Sequence, residues 1–220
     1  MGLFYHAATT LMKILLIAFT RWQVEGKENV PRSGPLIVVS NHLNNIDPPL
    51  LGASIPRTIN FMAKQELFEP HWVRAIVQGY GAFPVRRGQL DRKSLHQALE
   101  KLRDGKVVGM FPEGSRSFSK KLQSPQPGTA LLADRSGAPI LPVGISGSDQ
   151  MRGLRSIFNR PRITVTIGPP FVLSSDEGSR TRLRLTQHSN LIMENIARLI
   201  PQSYRGEYGL RPGDGSNNGD

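Results

Sequence analysis

The sequence predicts an α/β fold, in which a single-domain sheet is covered by helices. Short apolar and largely β-branched runs alternate with longer segments whose apolar residues recur every three or four positions. The length of 220 residues and the hydrophobic content of 38% suit one compact core. Two loops rich in polar and charged residues directly follow predicted strands, where ligands of such folds bind.

The first element is an apolar segment, residues 3–19, with polar side chains at helical spacing: His6, Thr9, Thr10 and Lys13. As a helix it would reach roughly 25 Å, short of the roughly 30 Å hydrocarbon core of a bilayer, and a lysine in its middle disfavours spanning. We therefore expect residues 1–21 to form an amphipathic, membrane-associating helix that lies in the interface. A soluble helix packed on the core is an open alternative. A cleaved signal peptide is disfavoured because no basic stretch precedes the apolar run and no Ala-x-Ala follows it.

The remaining elements follow from apolar periodicity. Buried strands are predicted at residues 36–39, 58–63, 106–111, 140–145 and 163–167. Helices are predicted at residues 91–104, which Gly105 ends, and at residues 185–200, which Pro201 ends. The chain from residue 202 is polar and glycine-rich, so we predict one domain over residues 22–201 and a disordered tail over residues 202–220.

His42 and Asp47 lie in the loop just after the first buried strand. Because residues five apart lie well around the axis of a continuous helix, a turn must bring the two side chains together. Aspartate before Pro48 suits such a turn, with a short helix starting at Pro48. An imidazole so placed can take a proton from an attacking hydroxyl while the carboxylate orients it. An isolated pair of this kind is more often a structural histidine beside a helix cap. The residues of the second loop favour the catalytic interpretation instead.

The second loop begins at Pro112, which ends the strand predicted at residues 106–111. Arg116 offers a planar fork that matches phosphate oxygens, and Gly114 lets the backbone approach a ligand closely. Glu113 is suited to orienting that arginine or to binding a substrate hydroxyl. A solvated Pro-Glu-Gly turn is the alternative.

These motifs, in this order, resemble those of the glycerolipid acyltransferase family typified by 1-acylglycerol-3-phosphate acyltransferase. The N-H-x-x-x-x-D block corresponds to Asn41, His42 and Asp47. A glycine-aromatic-arginine block corresponds to residues 81–87, and a V-P-V-G-I type block to residues 141–145. The F-P-E-G-T-R-S block corresponds to residues 111–117, with Ser115 in place of threonine. The resemblance extends from about residue 22 to residue 201.

The resemblance implies that His42 is a general base and Asp47 its orienting partner. It also implies that the phosphate and glycerol end of a substrate is held by Lys64, Arg87, Glu113, Gly114, Ser115 and Arg116. Arg87 is preferred over Arg86 because adjacent side chains on an extended segment point to opposite faces. The implied reaction transfers a fatty acyl group from acyl-CoA or acyl-carrier protein to 1-acylglycerol 3-phosphate (lysophosphatidic acid), giving phosphatidic acid in phospholipid biosynthesis. The donor is a substrate, so no cofactor is expected.

Composition agrees with this class of reaction. Without cysteine or a G-x-S-x-G elbow, a covalent acyl-enzyme lacks an obvious carrier, so direct attack by the acceptor hydroxyl is favoured. The formal charge of +11 favours anionic partners, here membrane phospholipids, lysophosphatidic acid and the acyl donor. We expect a monotopic protein on the cytoplasmic face of a membrane.

The same residues bear on other classes of partner and acceptor. Nucleic acid is disfavoured because no zinc-finger spacing, RNA-binding aromatic motif or long basic run occurs. No metal site is expected, since the histidines are scattered and H-E-x-x-H is absent. A different acceptor, such as glycerol 3-phosphate or another lysolipid, stays open, and so does a non-catalytic lipid-binding protein.

Overall fold

The computed structural model describes residues 2–86, 91–151, 153, 158–174 and 182–209. In these residues seven strands form one sheet: β1 (Arg21–Glu25), β2 (Leu36–Ser40), β3 (Ile59–Lys64), β4 (Phe83–Val85), β5 (Val107–Met110), β6 (Ile140–Ser146) and β7 (Arg162–Ile167). Their order across the sheet is β1-β7-β6-β2-β5-β3-β4. The α-helices that lie within the described residues are α1 (Gly2–Phe19), α2 (Asp47–Ser54), α3 (His71–Gly79), α4 (Arg92–Arg103), α5 (Gly128–Ser136) and α6 (Arg182–Arg198).

The middle of the sheet is parallel. Strands β6, β2, β5, β3 and β4 all run in one direction, whereas β7 is antiparallel to β6 and β1 is parallel to β7. Strand β2 is buried on both faces, which explains its continuous apolar run in place of an alternating pattern. Val39 pairs with Met110, so the loops that follow β2 and β5 leave the sheet side by side.

Helices cover both faces of the sheet. One core contains Leu16 of α1 and Leu51 of α2, and the other contains Leu95 of α4, Leu132 of α5 and Ile192 of α6. Helix α3 lies beside α1, as described below. The predicted α/β fold, a sheet covered by helices, is therefore confirmed.

All five predicted strands are present, and the helices predicted at residues 91–104 and 185–200 correspond to α4 and α6. The sequence did not indicate β1, whose exposed and half-buried residues alternate, or β4, which has three residues and contains Pro84. It also did not indicate α3 or α5, whereas the short helix predicted to start at Pro48 corresponds to α2.

Helix α1 presents most of its large apolar side chains to solvent. Its buried residues are Tyr5, Thr9 and Leu16. Thr9 can face the protein at little cost because its hydroxyl donates to the Tyr5 carbonyl of the same helix at 2.8 Å. The exposed set comprises Leu3, Phe4, Leu11, Ile14, Leu15, Ile17 and Phe19. This exposure differs from that of a soluble helix whose apolar side packs on the core, and by length and composition alone α1 could cross a membrane.

The end of the described chain is folded rather than disordered as far as residue 209. Residues Gln202–Tyr204 and Gly206–Tyr208 form two short 3-10 turns. The Leu122 N–H donates to the Tyr204 carbonyl at 2.8 Å, and both tyrosines of the turns pack against the core. These aromatic anchors outweigh the polar, glycine-rich composition on which the predicted tail rested. Residues 210–220 lie outside the described residues.

Candidate active site

His42 and Asp47 are in direct contact in the loop between β2 and α2. The Nδ1 atom of His42 is 2.9 Å from Oδ2 of Asp47. The same oxygen accepts the backbone N–H groups of Leu43 at 2.6 Å and Asn44 at 2.7 Å. Asp47 is the first residue of α2, so the aspartate-proline turn brings the two side chains together as the sequence predicts.

The buried contact with Asp47 determines which nitrogen of the His42 imidazole can accept a proton. His42 is 6% exposed and Asp47 is fully buried. A carboxylate can only accept hydrogen bonds, so Nδ1 of His42 must donate its proton to Asp47. The other ring nitrogen, Nε2, then carries the lone pair that can accept a proton from a substrate.

Glu113 joins the loop that follows β5 to the histidine loop. Its Oε1 accepts the His42 backbone N–H at 3.0 Å, and its Oε2 accepts the Gln123 N–H at 3.0 Å. The Ser117 N–H donates to the His42 carbonyl at 2.8 Å, which closes a second link between the two loops. Burial, together with the nearby Asp47, raises the pKa of Glu113 to about 7. These contacts make Glu113 a positioning group for His42, and the substrate contact expected of it stays a prediction.

The Phe111 ring packs directly on the His42 imidazole. The ring centroids are 4.0 Å apart and the planes are inclined by 19°. Phe61 stacks behind Phe111 at 6.1 Å. The imidazole is therefore confined between an aromatic face and the Asp47 carboxylate, which limits its rotation.

Two asparagines tie the histidine loop to the neighbouring β6 and to the turn that follows β6. The Asn41 side chain donates to the Ile145 carbonyl at 2.9 Å and accepts the Ile145 N–H at 2.8 Å. The Asn44 side chain donates to the carbonyls of Ser148 and Met151, both at 3.0 Å. The loop is thus held from β6 on one side and from the β5 loop on the other.

A cavity of about 520 Å³ opens beside the β5 loop. Such a volume is typical of small-molecule sites. Its polar lining includes Glu113, Gly114 and Ser115, which follow β5. Its apolar lining comes from the sheet and from helices α4 and α5: Met62, Val85, Leu95, Met110 and Leu132. His42 itself does not line this cavity, but Phe111 and Glu113, which contact His42, do.

Cationic side chains lie around the same edge of the sheet. Lys64 ends β3, and its half-exposed ammonium is 3.1 Å from the Glu66 carboxylate. Arg86 follows β4 and lines the cavity, where its Nε donates to the Gln65 side chain at 3.0 Å. The Arg116 guanidinium lies 5.3 Å from the ring centroid of the exposed Phe118. Arg87, the preferred phosphate ligand of the sequence analysis, lies outside the described residues.

Residues 21–146 match the family model described as Acyltransferase. The chain belongs to the acyltransferase family. This acyltransferase is 26% identical over 196 residues to the 1-acyl-sn-glycerol-3-phosphate acyltransferase of Bacillus subtilis, a match that covers 89% of this chain and 96% of that protein.

Two further similarities bear on fold and acceptor. The crystal structure of the 1-acyl-sn-glycerophosphate (LPA) acyltransferase PlsC from Thermotoga maritima matches the acyltransferase with a TM-score of 0.66 and 26% identity. That match covers 86% of this chain and 76% of the Thermotoga chain. A lyso-ornithine lipid O-acyltransferase of Pseudomonas aeruginosa is 31% identical over 132 residues, covering 60% of this chain and 50% of that protein.

The acyltransferase site also contains groups to which the sequence analysis gave no role. Phe111 was placed at the end of a strand and at the start of the F-P-E-G-T-R-S block without a role, and its stacking on His42 depends on β2 and β5 being neighbours in the sheet. One feature of the sequence could have indicated the hydrogen bonds of Asn41 and Asn44: both side-chain amides lie in a loop directly after a predicted strand. Among the residues that the structure describes, no group of three His, Cys, Asp or Glu side chains could hold a metal ion.

Proposed function

We propose that this acyltransferase moves a fatty acyl group from a thioester to the free hydroxyl of 1-acylglycerol 3-phosphate, giving phosphatidic acid. The observation that carries the proposal is the buried contact of 2.9 Å between His42 and Asp47, beside a cavity with polar and apolar lining. The names of the relatives from Bacillus and Thermotoga support this acceptor.

In the proposed reaction, Nε2 of His42 takes the proton of the acceptor hydroxyl as its oxygen attacks the thioester carbonyl. The carbon–oxygen bond forms, and the negative charge on the carbonyl oxygen then expels the thiolate as the carbon–sulfur bond breaks. The imidazolium returns its proton to the departing sulfur, which leaves a free thiol. Asp47 stabilises the imidazolium during this cycle. No protein nucleophile is needed.

The cations near the cavity are the proposed ligands of the acceptor phosphate. Arg116 has no carboxylate partner among the described residues, so its fork is available to an anion. Among the described residues, the ion-pair partner of Lys64 is the exposed Glu66, and exposed pairs of this kind are weak. Gly114 and Ser115 would contribute backbone and hydroxyl contacts beside them. Arg87 is proposed from the family pattern alone.

The donor is proposed to be acyl-CoA or acyl-carrier protein. Both are acidic, and the formal charge of +11 attracts them. The apolar lining of the cavity from β3, β4, α4 and α5 suits the acyl chain, while the polar residues after β5 suit the head group.

We also propose that α1 attaches the protein to the membrane monotopically, on the cytoplasmic face. Its seven exposed large apolar side chains support the attachment, and the positive charge suits the anionic cytoplasmic leaflet. Replacing Leu11 and Ile14 by glutamine should release protein from anionic vesicles in a flotation assay. The same change at Leu183, exposed on α6, is the matched control and should leave flotation unchanged. Undiminished flotation of the α1 variant would contradict the attachment.

A different acceptor is the second candidate, and one observation favours it. The relative from Pseudomonas is named for a lyso-ornithine lipid, so similarity at this level spans more than one acceptor. A lipid-binding protein without activity is the candidate of a different class.

One product assay separates these possibilities. The purified protein is incubated with acyl-CoA and, in turn, lysophosphatidic acid, glycerol 3-phosphate or a lyso-ornithine lipid in mixed micelles. Free CoA and acylated product are measured together. The proposal predicts equal amounts of CoA and phosphatidic acid with lysophosphatidic acid, and faster turnover of that acceptor than of the others. A faster rate with another acceptor would contradict the acceptor. No product with acyl-CoA or acyl-carrier protein would leave only the lipid-binding protein.

A further inference from the structure

Helix α3 has an apolar stripe that no part of the described chain covers. The stripe consists of Trp72 and Ile76, which lie one turn apart and are 72% and 51% exposed. Leu67, in the turn before α3, is 45% exposed. None of the residues of α3 is buried, although the helix is amphipathic. Single exposed apolar residues are ordinary on a protein surface, but an aligned set beside a second set is not.

The second set is the exposed side of α1, and the two helices touch. A Cβ atom at Gly79 of α3 would lie 2.5 Å from the Phe4 ring, so the ring packs against the helix backbone. The rings of Tyr5 and Tyr80 are 5.1 Å apart. The exposed apolar surface of α1 therefore continues onto α3 without an intervening element.

Both helices also reach the edge of the sheet where His42 lies. Helix α3 follows the carboxyl end of β3, and Gln65, in the turn between them, accepts a hydrogen bond from the cavity-lining Arg86. Helix α1 is followed by β1. The first residue of β1, Arg21, pairs with Arg162, the first residue of β7, and this pair lies at the edge of the sheet where β6 ends. The carboxyl end of α1 and the amino end of α3 thus lie at the edge of the sheet that carries the candidate active site, whereas the two helices touch near the start of β3, where the Ile59 N–H donates to the Tyr5 hydroxyl at 3.1 Å.

Charge alone does not explain this surface. Around α3 the cations are Lys64, Arg74 and Arg86, and the anions are Glu66 and Glu69, so the local charges nearly balance. An apolar phase fits such a surface better than an acidic protein does. The continuity with α1 favours a lipid bilayer as that phase.

We propose that α3 is a second membrane-contacting helix, which together with α1 holds the mouth of the cavity against the lipid surface. Trp72, Ile76 and Leu67 enter the interface, where tryptophan side chains are favoured. The acceptor lipid then enters the cavity from the bilayer without passing through water. This last step rests on the proposed function, whereas the membrane contact of α3 does not.

Tryptophan fluorescence tests the contact directly, because Trp22 and Trp72 are the only two tryptophans in the chain. A Trp22→Phe variant makes Trp72 the sole reporter. On vesicles of phosphatidylcholine and phosphatidylglycerol, its emission should shift to shorter wavelength, and brominated acyl chains should quench it at least twofold. The Trp72→Phe variant, which reports on the half-buried Trp22, is the matched control and should change much less. Unchanged Trp72 emission in protein that is bound to the vesicles would overturn the proposal.

A paired variant tests the consequence for binding. Replacing Trp72 and Ile76 by glutamine, a good helix former, should weaken vesicle binding at least tenfold while circular dichroism and thermal unfolding stay unchanged. Leu183→Gln, at a position 68% exposed on α6, should bind like wild type. If the stripe instead joins two copies of the chain, sedimentation in the absence of lipid will show an oligomer that the paired variant dissociates, and that result would overturn a bilayer as the occupant.

Activity separates failure of this inference from failure of the proposed function. The paired variant should turn over a monomeric, short-chain lysophosphatidic acid at the wild-type rate and a vesicle-embedded long-chain one at least tenfold more slowly. Equal rates of variant and wild type on both acceptors would overturn entry from the bilayer. If wild-type protein acylates no acceptor, the proposed function fails, and quenching of Trp72 still decides the membrane contact.

Discussion

Replacing Asp47 by asparagine removes the negative charge beside the His42 imidazole and keeps an oxygen acceptor in nearly the same place. Asp47 Oδ2 is 2.9 Å from Nδ1 of His42. Two unit charges separated by about 3 to 4 Å interact by about 4 to 6 kcal/mol at an effective dielectric constant of about 20. The imidazolium forms only during the reaction, so this energy stabilises the transition state rather than the ground state.

We therefore expect Asp47→Asn to lower kcat by about 10³, since about 4 kcal/mol corresponds to that factor. The asparagine carbonyl can still accept the N–H groups of Leu43 and Asn44, but its NH2 group replaces the buried Oδ1, which has no hydrogen-bond partner among the described residues, so the variant should unfold at a lower temperature while staying folded at the assay temperature. The assay is the rate of phosphatidic acid formation at saturating lysophosphatidic acid. A loss of less than tenfold in a fully folded variant would refute the role of the carboxylate.

Three further changes test neighbouring parts of the site. Because folding raises the pKa of Glu113 from its ordinary 4.5 to about 7, wild-type stability should fall by about 3 kcal/mol as pH rises from about 4.5 through 7, and Glu113→Gln should lose this dependence. Urea unfolding at pH 5 and pH 8 measures this change in stability. An equal change in wild-type protein and in Glu113→Gln would contradict burial of Glu113 as its cause. Arg116→Ala should raise the acceptor KM at least tenfold with a smaller change in kcat, since a charge-assisted hydrogen bond contributes about 1.5 to 3 kcal/mol. An unchanged KM would remove Arg116 from the phosphate site. Gly114→Ala should destabilise the fold by about 1 to 2 kcal/mol, because φ is +72° and the new Cβ would lie 2.9 Å from the Gln126 side chain. Thermal unfolding at the wild-type temperature would contradict this expectation.

The parts of the fold that could be predicted from sequence are those set by local pattern. Strands β2 and β5 stand out because parallel strands buried on both faces are continuously apolar. Strand β1 could not be predicted because it lies at the sheet edge and its burial alternates. Strand β4 could not be predicted because a three-residue strand with a proline has almost no pattern.

In the candidate site, too, only the contacts that depend on local sequence could be predicted. The contact between His42 and Asp47 could be predicted because Pro48 restricts the geometry of the residue before it. The bonding of Glu113 could not, because its partners are the backbone amides of His42 and Gln123, and backbone groups carry no residue-specific signal.

Helix α1 shows a different limit of sequence patterns. The spacing of His6, Thr9 and Thr10 indicates a polar stripe, but periodicity cannot tell which side of a helix packs on the protein. Burial of Thr9 is tolerated because its hydroxyl is satisfied by the backbone of its own helix. Apart from Tyr5 and Leu16, which are buried, the large apolar residues of α1 mostly face outwards.

The central claim is that His42 is the base for direct acyl transfer to the acceptor hydroxyl. The most direct test measures phosphatidic acid formation by wild-type protein and by His42→Ala side by side, with acyl-CoA and lysophosphatidic acid in mixed micelles and with equal folding checked by circular dichroism. A loss of about 10² to 10⁴ in rate is predicted for removal of a general base. An active wild-type protein whose His42→Ala variant keeps more than a tenth of the rate would contradict it.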